Sequence, residues 1–216
     1  MSDNISHLDS LKDIKNIMER SSRFITLSGK SGIAAGIIGL ASAYIAHTII
    51  SKYYKNYNQS GIWRVTDFKD LELKLFLLGL VTLGLAFAAG FYFTWQKAKQ
   101  DGIAIWNASS KRLVVNLCLP LLTGGIFIIG MLANGEWLFI GPACLVFYGL
   151  ALINGSKYTY DDIRYLGLLE ILLGSINLFY IGYGLYFWAA GFGILHIVYG
   201  AIMWNKYDRH SDVPTN

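Results

Sequence analysis

Polar and charged positions gather into short clusters along the chain, and apolar stretches of helical length, without period-two alternation, run between them. A helix rises 1.5 Å per residue, so about 20 apolar residues cross a hydrocarbon core of roughly 30 Å. The stretches of about that length are 31–50, 73–95, 113–133, 137–153, 163–181 and 185–204. A membrane barrel needs alternating apolar and polar positions, so strands are not expected. The expected fold class is all-α, a polytopic membrane bundle of six transmembrane helices. Residues 1–30 form a separate pattern, with Leu8, Leu11, Ile14, Ile17 and Met18 on one helical face and Asp9, Lys12, Asp13, Asn16, Glu19 and Arg20 on the other. They are expected to form an amphipathic helix ahead of a six-span domain over 31–205, with a polar tail over 206–216.

The second half of the chain repeats itself. At an offset of 50 residues Gly124 meets Gly174, Ile126 meets Ile176, Gly141 meets Gly191 and Leu145 meets Leu195. After a slip of one, Tyr148-Gly149 meets Tyr199-Gly200. Spans three-four and five-six thus read as two copies of a helical hairpin, and spans one-two as a more distant third with a longer, Tyr-rich outer connection over 51–72. The hairpins share one orientation, so the internal repeats are parallel, unlike the inverted repeats of many transporters.

Composition agrees with the bilayer as solvent and partner. With 54% apolar and 15% charged residues and a mean hydropathy of +0.43, a chain of 216 residues has more apolar surface than one soluble core hides. Basic residues set the orientation. Thirteen of the 18 fall on one side: Lys12, Lys15, Arg20, Arg23, Lys30, Lys97, Lys99, Lys111, Arg112, Lys157, Arg164, Lys206 and Arg209. Both termini are therefore expected in the cytoplasm. Inner-face Lys and Arg account for the net charge of +4, so no direct nucleic-acid partner is expected. The polar first 30 residues lack the pattern of a cleavable leader, and 31–50 is expected to act as an uncleaved anchor.

Few motifs carry chemistry. "LSGKSG" around Lys30 lacks the Gly that a phosphate-binding loop requires five residues before Gly29, where Phe24 stands. The four His residues are scattered, none at metal-ligand spacing, and Cys118 and Cys144 lie at different depths, so neither a metal site nor a disulfide is expected. No hydrolase signature is present and no cofactor is implied, which leaves no catalytic residue and a non-enzymatic expectation.

The polar content of the spans remains, and ionisable residues there are functional candidates by default. Glu170 and His196 are equidistant from residue 183 in the "YIGYGLYF" turn, about 20 Å from it at 1.5 Å per residue, and so lie at one depth on spans five and six. Asn177 shares the face of Glu170 at i+7 and completes a candidate intramembrane polar site. Asn116 and Asn154 are symmetric about Gly135, about 28 Å deep, and form an inner-interface polar pair. Gly32 and Gly36 make a GxxxG match that serves either helix packing within the monomer or a homo-oligomer. Two readings of Glu170 stand side by side. One is a proton-responsive or ligand-binding site; the other is an interhelical hydrogen bond of about 0.6 to 2 kcal/mol.

The stretch "DIKNIMERSSRFITLSGKSGIAAGI", 13–37, resembles the opening of a bacterial family of uncharacterised six-span inner-membrane proteins, in which an "MERSSRF…LSG.SG..AG" pattern joins an N-terminal helix to the first span. The close match covers about 25 residues, and Lys30 stands where that pattern carries an apolar residue. Members are often encoded beside a small winged-helix DNA-binding regulator. The resemblance implies a multi-pass protein of the bacterial inner membrane paired with a cytoplasmic regulatory protein, and no established activity. The expected function is a sensor or interaction module acting through the N-terminal helix and inner loops; the alternative is a small transporter or channel using Glu170, Asn177 and His196 as a polar path.

Overall fold

The computed structural model describes Phe24 and residues 27–62 and 64–209. The expected amphipathic helix and the "MERSSR" part of the N-terminal pattern lie outside the described residues, as do Trp63 and the tail from 210. Among the described residues the chain is all-helical, with no strand.

Six helices follow one another. They are α1 (Gly29–Ser60), α2 (Val65–Gln100), α3 (Ala108–Ala133), α4 (Ile140–Ser156, entered by a 3-10 turn over Trp137–Phe139), α5 (Asp162–Asn177) and α6 (Gly184–Asp208). The rod of α6 alternates α segments, Gly184–Trp188 and His196–Met203, with π segments, Ala189–Leu195 and Trp204–Asp208.

Helix ends follow local chemistry. The Ser28 side chain accepts from the Lys30 N–H at the start of α1, and Asn107 and Ser110 form a reciprocal capping box at the start of α3. Gly61, at φ 64°, ends α1 in the left-handed conformation with its N–H on the Tyr57 carbonyl. Because "SKYYKNYNQS" contains no breaker before that glycine, α1 continues to Ser60 and α2 begins at Val65. The expected long connection over 51–72 is therefore mostly helix.

Five of the helices are long and apolar enough to cross a membrane: α1, α2, α3, α4 with its 3-10 entry, and α6. The exception is α5, expected over 163–181, which spans 16 residues or about 24 Å. Its end has a local cause. Asn177 folds its side-chain amide onto the Tyr180 carbonyl, and the chain turns through 178–183.

The helices pack in a row of seams, α2 on α1, α1 on α6, α6 on α4 and α5, and α4 on α5 and α3. The principal partner of α6 is α1 rather than its hairpin neighbour α5, and that of α5 is α4. Glycines make the tightest seams. A Cβ on Gly149 would lie 2.5 Å from the Gly167 carbonyl of α5, and one on Gly167 would lie 2.7 Å from the Gly149 carbonyl. Only backbones without side chains approach this closely. At the ends of the row α2 and α3 expose large apolar side chains along most of their length, Phe87, Leu83, Ile126 and Leu122 among them. Such apolar coverage suits a helix in lipid, where every backbone group is satisfied within the helix.

Candidate functional site

Glu170 is fully buried, and its Oε1 lies 3.4 Å from Nδ1 of His196. Glu170 stands seven residues before the end of α5 and His196 twelve after the start of α6, so the contact follows from how the two helices pack around the 178–183 turn rather than from equal helical counts. Winding in α6 then sets the ring. The π segment Ala189–Leu195 ends immediately before His196, and Nδ1 reaches back five residues to the Gly191 carbonyl at 2.9 Å. A carbonyl only accepts, so Nδ1 carries a proton. In the neutral ring Nε2 is then the acceptor, and it takes the hydroxyl of Tyr148 on α4 at 2.7 Å. Phe192 packs against both rings. Single-turn π insertions of this kind recur at functional sites.

Neither carboxyl oxygen of Glu170 has a hydrogen-bond partner among the described residues. A buried charged carboxylate without donors costs several kcal/mol, so this group is held at high free energy unless a proton or cation neutralises it. Gly191 is the residue that admits it, since a Cβ there would lie 2.5 Å from both Glu170 Oε2 and Leu145 Cδ2. Two turns along α5, Asn177 is also buried, with Oδ1 unpaired among the described residues and facing Gly141 and Gly184. The structure thus brings Glu170 and His196 into contact and sets Asn177 nearer the α5–α6 turn. Tyr148 joins the site although the sequence marks it only as part of the repeat; its one signal is a phenol in a span, away from both aromatic belts.

Asn116 and Asn154 also meet, through the backbone carbonyl of Asn116. Pro120 has no N–H, which leaves the carbonyl of Asn116, four residues earlier, without its helical donor. The side-chain amide of Asn154 supplies the missing bond at 2.9 Å. Gly32 and Gly36 pack within the chain. A Cβ on Gly32 would lie 3.0 Å from Gly200 Cα, and one on Gly36 2.7 Å from the Gly193 carbonyl, so the GxxxG match lies in the α1–α6 seam.

A second polar cluster closes the end of the bundle that holds Phe24 and Asp208, and it was not foreseen from the sequence. Asp208, at the end of α6, receives Lys97 Nζ at 2.6 Å through Oδ1, and Ser28 Oγ at 3.0 Å and the Gly29 N–H at 2.9 Å through Oδ2. Both charges are buried. Lys97 also donates to the Leu27 carbonyl, and Phe24 is held through both backbone groups by Tyr158 and Thr159. The carboxylate thus caps α1 at its positive end while neutralising a lysine from α2. Beside it Tyr207 stacks on Tyr160 at 4.0 Å and, with Lys206, donates to Asp162. Burial pushes the Asp162 carboxyl up, but those two donors outweigh it and hold the group below its ordinary value. The sequence signal was a Lys and an Asp each placed just beyond an apolar stretch.

Among the described residues no group of three or more His, Cys, Asp or Glu side chains is arranged to hold a metal ion, and both cysteines are free. Fold and sites together define an all-helical protein of membrane type with a buried carboxyl–imidazole–phenol cluster and a buried clasp at one end. No protein family matches the chain, and no curated protein or solved structure matches it.

Proposed function

We propose that the chain is a six-span integral protein of a bacterial inner membrane, with both termini in the cytoplasm, acting as a non-enzymatic sensor or interaction module for a cytoplasmic regulatory partner. In this reading α5 and its turn complete the sixth crossing, and the hairpins are parallel repeats. One observation carries the functional part. The same rod, α6, holds His196 against Glu170 at one level and Asp208 against Ser28, Gly29 and Lys97 at the other. A change of charge at the buried pair acts on α6, and α6 acts on the clasp that fixes Ser28 and the start of α1. The resemblance over 13–37 supports the same output.

Hydrogen exchange of residues 24–30 in nanodiscs, followed between about pH 5 and 8 where imidazole charge changes, tests this. Exchange that varies with pH in the wild type and is flat in Glu170→Gln is the expected result. Exchange flat in both removes the sensor reading. The unpaired acceptors of Glu170 and Asn177 favour one alternative, a small transporter or channel in which they and His196 line a polar path. Its mark is proton or cation flux in liposomes abolished by Glu170→Gln. Full burial of Glu170 weighs against water reaching it.

A further inference from the structure

At the end of the bundle away from Phe24 and Asp208, α1 runs past its apolar stretch for the ten residues 51–60. Between this extension and the α5–α6 turn lies a cleft of about 640 Å³. Ile50 and Leu185 line it, and these residues end the apolar stretches of their helices, so its floor sits where hydrocarbon gives way to headgroups. Above that floor stand Lys55, Asn58 and the phenol of Tyr186, while His47 lies about one turn below Ile50 on α1. The lining offers a cation and several neutral donors and contains no carboxylate. A neighbouring cleft of about 550 Å³ differs in this respect, because Asp67 and Asp70 offset most of the charge of Lys52, Arg64 and Lys74, and Asp70 pairs with Lys74 directly.

We infer that the first cleft binds one anionic phospholipid, its phosphodiester on Lys55, its headgroup among Asn58 and Tyr186, and an acyl chain along Ile50 and Leu185. Phosphate oxygens match a rim that holds a lysine and neutral donors and no carboxylate, and the apolar floor continues into the bilayer where an acyl chain must lie. A soluble anion would use the rim and leave the floor in water. The inference requires the membrane placement and is independent of the sensor reading.

Native mass spectrometry of the full-length protein, released from detergent with phosphatidylglycerol or phosphatidylcholine, tests the site. The wild type should retain one phosphatidylglycerol in preference to phosphatidylcholine. Lys55→Glu should lower that retention about fivefold or more, on the scale of one basic contact at an anionic surface, and Lys55→Gln by less. Lys74→Glu, in the balanced cleft, should leave it unchanged, and circular dichroism should show all three variants folded. Equal retention of the two lipids, or retention indifferent to Lys55, overturns the site. Displacement of the lipid by inorganic phosphate alone makes it an anion site and overturns the lipid assignment.

Discussion

Lys97 and Asp208, separated by 111 positions in the chain, meet at 2.6 Å inside the protein, where each side chain is 9% exposed. Removing one member of such a pair leaves the other charge buried without its ionic partner, at a cost of about 3 to 5 kcal/mol. Lys97→Met and Asp208→Asn should each lower unfolding stability in detergent by that order. The double variant should cost less than the two singles together. Strict additivity in the cycle would show that the pair contributes no coupling.

Gly191 and Glu170 should be coupled through space. Gly191→Ala places a methyl group on the carboxyl and on Leu145, and overpacking of this kind costs about 1 to 3 kcal/mol. Glu170→Ala should recover part of that loss in the Gly191→Ala background, because it removes one of the two groups that collide and leaves Leu145. Thermal unfolding of the four proteins measures the recovery, and none at all would mean that the crowding lies elsewhere.

His196 should be held as the Nδ1-protonated tautomer while neutral, because Gly191 accepts from Nδ1 and Tyr148 donates to Nε2. Nitrogen NMR of labelled histidine reads the two ring positions directly. Tyr148→Phe removes the donor to Nε2 and should cost about 1 kcal/mol while shifting the Nε2 resonance. An unmoved resonance would place the phenol away from the ring.

The carbonyl of Asn116 is the test of the α3–α4 contact. Asn154→Ala should destabilise by about 1 kcal/mol, the net worth of one hydrogen bond. In a Pro120→Ala background the helix supplies its own donor to that carbonyl, so the same substitution should cost markedly less. Equal costs in the two backgrounds would sever Asn154 from the proline.

Asp162 predicts an acid limb of stability. Its carboxyl is held below the ordinary value by Tyr207 and Lys206, so the folded form binds its proton less readily than the unfolded form. The stabilisation is complete above the unfolded-state value near 4 and is lost as pH falls through the lower folded-state value. Asp162→Asn should therefore flatten the melting temperature below about pH 4 and change little of its pH dependence at neutrality. A parallel fall in both proteins would assign the acid limb to other carboxylates.

Much of the architecture was legible because it rests on short-range rules. Apolar length gave helices where helices stand, and residue counting about the α5–α6 turn put Glu170 and His196 at one depth. Local competition was harder to read. Without a breaker α1 ran on to Ser60, and the Asn177 side chain took a backbone carbonyl and shortened α5. The purpose of Asn154 was visible only once Pro120 was paired with the carbonyl four residues before it.

The sequence by itself determined that this is an all-helical, lipid-suited chain with a carboxylate and an imidazole level with one another in its last hairpin, since helix rise and hydrophobic length are properties of each segment alone. Which helices lie together was decided only by the tertiary structure. Helix rotation and partner choice depend on where backbones approach most closely, and the glycines of α1 answer those of α6 across more than 150 positions. That contact carries Asp208 to Ser28 and Gly29, and it joins the buried Glu170–His196 pair to the start of the first helix.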